Sequence, residues 1–271
     1  MDMKLTGETS PVQAITTGRE STRISLLAAG KGWMVVDKPA GMSVHNDPGR
    51  DLCSSASVFI QEQTALQGVL AMDSDFGVHP VHRLDKETSG VILLACNRDV
   101  FRFFSDQFES FRVKKRYVAI LHGRLEDPKG SSSWETWGWA LAKTAGGRLN
   151  PAGSELRQES LTRYRVLGHS AHYTLVEVEP LSGRTHQIRR HAKLSGHPVV
   201  GDARYGSRQA IDYLRRNKAF DRLALHARAL TFQVSGEKGP RTVEAPTVPK
   251  QMVDLFENDT AVHNGHWPIT Q

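Results

Sequence analysis

Cysteine is scarce: Cys53 and Cys96 are the only two in 271 residues, and no CxxC occurs. That usage excludes a disulfide framework and a cysteine-built zinc site, and both residues read as reduced thiols. Long apolar runs are lacking too. The longest uninterrupted aliphatic stretch runs from Val91 to Cys96, far short of the roughly 20 apolar residues that cross a bilayer. The opening residues, MDMKLTGETSPVQAITTGRE, hold neither an apolar segment nor a small-residue cleavage site. They read as no secretory or transit signal, and a cytoplasmic location is expected. Neither GxGxxG nor a GxxxxGK followed by Ser or Thr is present, which removes two common phosphate-cradling loops. Acidic residues are outnumbered, with 29 Asp and Glu against 35 Lys and Arg for a formal charge of +6, so a polyanionic partner fits. What remains is a globular chain, 39% hydrophobic and 24% charged, large enough for one or two cores.

Residues 1–22 have no hydrophobic periodicity and predict a frayed leader. The folded unit is expected over 23–250, with 251–271 as a tail. The run Trp33 to Lys38 is β-prone and is stopped by Pro39-Ala40-Gly41, since proline lacks an amide donor and glycine permits turn dihedrals. Ala56, Phe59, Ile60 and Leu66 predict a helix over 54–66. The brevity of Val91 to Ala95 favours a buried central strand, and Asn97 offers an N-cap for a helix over 98–111. Residues 116–121 are strand-like. The stretch 127–154, rich in Gly, Pro, Ser and Thr and carrying Trp134, Trp137 and Trp139, predicts a long excursion or a strand pair. Alternation over 161–167 and 173–178 predicts antiparallel strands with one wet face. Helices are expected over 184–194 and 208–217, and strands over 227–234 and 242–245. With no internal repeat and no βαβ beat, the fold class is α+β: a mixed, largely antiparallel sheet with flanking helices.

Positive charge is concentrated. Between Leu181 and Ala229 stand eleven Arg and Lys against three Asp, and Arg112, Lys114, Lys115 and Arg116 form a second cluster. Charge alone fits either a solvated face or a nucleic-acid partner. A sharper signal is His82-Arg83-Leu84-Asp85-Lys86-Glu87-Thr88-Ser89-Gly90 just ahead of the apolar Val91 run. An acidic residue between basic ones on a turn is suited to be a nucleophile or base. The plainer alternative is an Asp85 whose carboxylate caps the turn by accepting amides from Thr88 or Ser89.

Further motifs decide between these. HRLDKETSG resembles the signature of the RluA-like pseudouridine synthases, with Asp37-Lys38-Pro39-Ala40-Gly41 before it, Lys115-Arg116-Tyr117 after it, then Gly183-Arg184-Thr185-His186-Gln187-Ile188-Arg189. Gly196-His197-Pro198-Val199-Val200-Gly201-Asp202, Tyr205-Gly206 and Leu225-His226-Ala227 follow in the family's order. The resemblance spans roughly residues 26–246, and so many ordered motifs leave little room for coincidence. It implies the pseudouridine synthase fold and an isomerase that converts specific uridines of structured RNA, ribosomal or transfer, to pseudouridine. Asp85 matches the catalytic aspartate, Arg189 its basic partner, and Tyr117 the active-site tyrosine whose ring stacks on the extruded uracil. An Arg fork binds a carboxylate bidentately and favours its charged form. Leu225 matches an apolar residue that packs against the base. Arg83, Arg184, His186, Gln187 and Lys38 belong to the substrate-binding motifs, Arg83 to fill the vacated space or hold a phosphate. The target must be flipped out at a cost of a few kcal/mol, and Arg184, Arg190, Lys193 and the 208–218 segment are expected to grip the RNA backbone, making affinity fall with salt. No cofactor and no metal are implied, and neither DNA nor a membrane is an expected partner.

Two departures stand out: Arg190 replaces a small aliphatic residue, and Gln233-Val234-Ser235 replaces His-Pro. Residues 1–25 are too short for the small RNA-binding domain many relatives carry, so RNA selection is expected from the catalytic domain, with the 134–139 tryptophans as candidates for substrate choice or packing. Two other classes compete. His79, His82, His186, His191 and His197 permit a metallohydrolase, although zinc sites without cysteine are seldom structural. An RNA-binding protein without the chemistry is the other, against which Asp85, Tyr117 and Arg189 stand together.

Overall fold

The computed structural model describes residues 13–16, 23–126 and 133–260. The first half of the chain forms β1 (Gln13–Thr16), β2 (Arg23–Gly30), β3 (Trp33–Lys38), α1 (Leu52–Glu62), α2 (Thr64–Leu70), β4 (His79–Pro80), β5 (Ser89–Ala95), α3 (Arg98–Glu109) and β6 (Lys114–His122). The second half forms β7 (Glu135–Trp137), β8 (Leu141–Ala142), β9 (Arg157–Gln158), β10 (Thr162–His169), β11 (Tyr173–Pro180), α4 (Gln187–Leu194), α5 (Arg208–Lys218), β12 (Leu225–Gln233), β13 (Pro240–Glu244) and α6 (Lys250–Glu257).

One long sheet runs β1-β2-β3-β5-β12-β6-β11-β10-β7, with β13 beside β12 and β4 beside β5. Its pairings are antiparallel except β5 with β12. β5 lies centrally because every residue from Ser89 to Ala95 is apolar or small, and all are buried, as a continuous apolar run demands. One apolar cluster covers one face, with Met34, Ile92, Leu94, Ile120 and Val176 against Leu52, Phe59 and Ile60 of α1. A smaller one on the other face gathers Trp33, Val35, Leu93, Phe104 and Phe232. Among the described residues no helix is long and apolar enough to cross a membrane.

Several expected boundaries shift for identifiable reasons. The 54–66 helix is two helices, because Gln63 leaves helical dihedrals and the Gln67 side chain donates to the Ile60 and Gln61 carbonyls, capping α1. The helix expected from 184 begins at 187, since His186 is left-handed and the Arg184 amide donates to the Gln187 side chain. The expected leader contributes β1, which pairs with β2 from Gln13 opposite Leu26. The expected tail opens with α6, whose Met252 and Leu255 are buried, and Asp259 accepts from Ser170 and His172 at the β10–β11 turn; the rest of the tail lies outside the described residues. The 127–154 excursion supplies β7, and β8 pairs with β9 beyond it. Trp137 is buried and stacks on Tyr164 at 4.3 Å, and Trp134 lies under the guanidinium groups of Arg163 and Arg165. Trp139 is 41% exposed.

Candidate active site

The parallel pairing of β5 and β12 builds the site. Parallel strands start at the same end, so the turn leading into β5, which carries Asp85, lies beside Arg222 to Leu225 leading into β12. The two strands pair at only two positions, Ser89 with His226 and Gly90 with Ala227. Gly90 is required there: its φ is +114°, and a Cβ would sit 2.2 Å from the Ala227 carbonyl oxygen. The crossing is tied by side chains too, since Arg222 donates to the Ser89 hydroxyl, which pairs with Nδ1 of His226 at 2.9 Å.

The Asp85 carboxylate does not cap its turn. The Thr88 amide donates to the Asp85 main-chain carbonyl at 3.1 Å, and the side chain instead meets Arg189, whose Nη1 donates to Oδ2 at 2.9 Å. Arg189 stands on α4 with 3% exposure. Its bidentate fork is not spent on Asp85 as expected: Nε and Nη2 donate to both oxygens of Asp202 at 2.8 and 2.9 Å, leaving Nη1 for Asp85. Asp202 is itself fixed by the Arg204 and Tyr205 amides at 2.9 and 3.0 Å. Burial opposes the charge on Arg189, but the bonds and charge of Asp202, with the charge of Asp85, raise it above its ordinary range. The result is a fixed cation, preorganised as electrostatic stabilisation requires, whose Nη1 meets Asp85 at 2.9 Å and, at a longer 3.5 Å, Glu87. Asp85 Oδ1 lies 3.7 Å from Nε2 of His186, whose Nδ1 pairs with the Tyr205 hydroxyl at 3.0 Å. Burial keeps His186 below its usual range despite the Asp85 charge. Asp202 and Tyr205 are motif residues whose contacts with Arg189 and His186 leave no mark in the sequence.

Asp85 stands between two hollows. One, about 440 Å³, is lined by Tyr117, Leu84, Leu225, Ile188 and Phe111 on its apolar walls and by Arg83, Arg184 and Gln187 among its polar ones. The other, about 940 Å³, is basic, with Arg83, Arg204, Arg215 and Arg222. Tyr117 is buried, and burial, followed by the Asp85 charge, pushes its phenol well above the ordinary value, so it keeps its proton at neutral pH. Eight of the nine residues singled out from the sequence thus meet at one place.

Lys38 is the ninth and lies behind it. It has no exposed surface, and Nζ donates to the carbonyls of Pro39, Met42 and Lys86 at 2.9, 2.9 and 3.1 Å, which uses all three ammonium donors. Its expected place among substrate contacts is corrected to that of a brace under the Asp85 turn. Gln187 lines the hollow yet is also a brace: its amide donates to Leu161 and Thr162, and its carbonyl accepts from Ser182 and Arg184. Arg190 is a second correction. It is fully buried and cannot grip an RNA backbone; its guanidinium donates to the carbonyls of Pro151, Ala142, Thr185 and Ala152 at 2.6 to 3.2 Å. The histidines that permit a metallohydrolase meet other partners. His82 accepts from the Leu93 amide and stacks on Phe108, His191 meets Thr162 and Trp139, His79 and His197 meet main-chain carbonyls. Among the described residues no three His, Cys, Asp or Glu converge as a metal site.

The family model for RNA pseudouridylate synthase matches residues 32–194. The tRNA pseudouridine synthase C of Haemophilus ducreyi is 33% identical over 226 residues, covering 79% of this chain and 85% of that protein. The ribosomal large subunit pseudouridine synthase C of Buchnera aphidicola is 32% identical over 221 residues, 79% of this chain and 64% of its own length. The solved human RNA pseudouridylate synthase domain containing 1 shares the fold, with a TM-score of 0.66 at 24% identity over 89% of this chain and 91% of that one. The chain belongs to the RNA pseudouridylate synthase family. Within it the chain is of the RluA type, an isomerase that converts uridine in RNA to pseudouridine.

Proposed function

We propose that this enzyme modifies specific uridines in structured RNA, ribosomal or transfer, in the cytoplasm, with Asp85 as nucleophile, Arg189 as its partner and Tyr117 as the stacking wall for the base. The reaction conserves atoms: the bond from uracil N1 to the ribose carbon breaks, the bond from uracil C5 to that carbon forms, the C5 proton leaves and N1 gains one. Nothing is consumed, so no co-substrate is called for. The observation that carries the reading is the 2.9 Å pair of Arg189 Nη1 with Asp85 Oδ2 at the wall between an apolar hollow and a basic one. The apolar hollow suits a flipped base, bounded by Tyr117 and Leu225. The basic one suits phosphates, through Arg83, Arg204 and Arg215. His186 and Arg184 also line the first, where they offer polar groups to the edge of the base.

The test is to incubate purified protein with large-subunit ribosomal RNA and with transfer RNA prepared from cells lacking the gene, then map pseudouridines in both. New sites in one fraction name the substrate class. No new site in either fraction contradicts the reading.

A further inference from the structure

Four residues other than glycine have positive φ among the described residues: Ala71, Phe111, His186 and Ala219. The two alanines end α2 and α5 in the left-handed conformation, where the side chain is a single methyl. The other two, His186 and Phe111, both line the hollow that contains Asp85. A left-handed φ is costly for a bulky residue, and such outliers gather where a site requires them.

Phe111 stands just beyond α3 with φ +55°, at the position where helices favour glycine. The turn is closed by the Phe111 amide donating to the Phe108 carbonyl at 3.2 Å and the Arg112 amide to the Gln107 carbonyl at 2.9 Å. It is rigid, because the buried Gln107 side chain pairs with both the amide and the carbonyl of Gln233 on β12, and the Phe108 ring stacks on His82. The ring so held is 64% exposed and makes no ring contact among the described residues. Lys115 lines the same hollow, and Arg112 and Lys114 flank the turn. An aromatic face held out from a fixed backbone, beside Lys115 and on the wall of the hollow that contains Asp85, is an arrangement that single nucleotides stack on.

We propose that Phe111 is a stacking platform for the nucleobase next to the target uridine, a specificity contact outside the catalytic pair. The proposal rests on the RNA pseudouridine synthase reading of the site. The base it takes is an unpaired neighbour, since a stacked duplex offers no free face, and the preference is for RNA in which that neighbour is splayed.

The substitution Phe111→Gly separates function from packing, because glycine relieves the left-handed backbone while removing the ring. The RNA fraction that the wild-type protein modifies serves as substrate, and a wild-type control with no activity in either fraction brings down the parent reading and this one with it. The expected result is an unchanged or higher melting temperature, KM raised about tenfold and kcat within about twofold of wild type; Phe111→Trp, which keeps a π-face, restores KM. An unchanged KM for Phe111→Gly overturns the proposal. So does a lower melting temperature with kcat and KM both impaired, or a Phe111→Trp variant no better than Phe111→Gly.

Discussion

Arg189 and Arg190 are neighbours on one helix, exposed to 3% and 0%, and they organise two different regions. Arg189 faces the site, where its acceptors are the carboxylates of Asp202, Asp85 and, at 3.5 Å, Glu87. Arg190 faces away, where its acceptors are four main-chain carbonyls that fix the chain around β8 to α4. A cation between carboxylates holds a charge in place for chemistry. A cation among carbonyls satisfies main-chain groups that burial has cut off from water. The guanidinium is the same and the burial is the same; the acceptor decides the role.

The largest difference between the two is expected in catalysis. Arg189→Lys removes the fork on Asp202, so the remaining cation loses its aim; kcat per folded molecule is expected to fall about 100-fold, measured by single-turnover pseudouridine formation. A variant that keeps wild-type kcat breaks the assignment. Arg190→Leu reverses the pattern. It removes the guanidinium from four main-chain carbonyls, of which Ala152 keeps the Ala142 amide as a donor, and a loss of roughly 2–4 kcal/mol in unfolding free energy is expected, with kcat per folded molecule retained. RNA affinity sharpens the contrast further. Arg190→Leu leaves the salt dependence of binding as it is, whereas Arg215→Ala, in the basic hollow, lowers the log–log slope by about 1. A shallower slope for Arg190→Leu contradicts the buried role.

Lys38 extends the comparison to a third buried cation. Burial pushes its ammonium down to about 7, against the opposing charges of Asp85 and Glu87. From there up to the ordinary lysine value of 10.5 the unfolded chain holds a proton that the folded chain has released. Stability therefore rises with pH across that window, with a slope up to about 1.4 kcal/mol per unit. Lys38→Met is expected to flatten the rise, read from urea unfolding at several pH values between those limits. An undiminished slope places the effect elsewhere.

Much of this was legible in the sequence, and for physical reasons. β5 declared itself because a fully buried strand is apolar throughout, and α3 because Asn97 accepts the Asp99 and Val100 amides as an N-cap should. Asp85, Tyr117 and Arg189 stood in motifs whose order survives any folding. The parallel contact of β5 with β12 was not legible, since Ser89 and His226 lie 137 residues apart and periodicity carries no partner. Arg190 and Lys38 differ from expectation for one reason: a long basic side chain has the same sequence signature whether its head meets phosphate or carbonyl. Asp202 is one carboxylate among many until Arg189, thirteen residues before it, folds against it. Phe111 gave no sign because a left-handed phenylalanine has no pattern of its own.

The most direct test of the central claim is to map pseudouridines in total RNA from cells carrying the intact gene, an Asp85→Asn version at equal protein level, or a deletion. The Asp85→Asn strain is expected to lack the same sites as the deletion. Sites that persist with Asp85→Asn yet vanish on deletion would contradict Asp85 as the nucleophile.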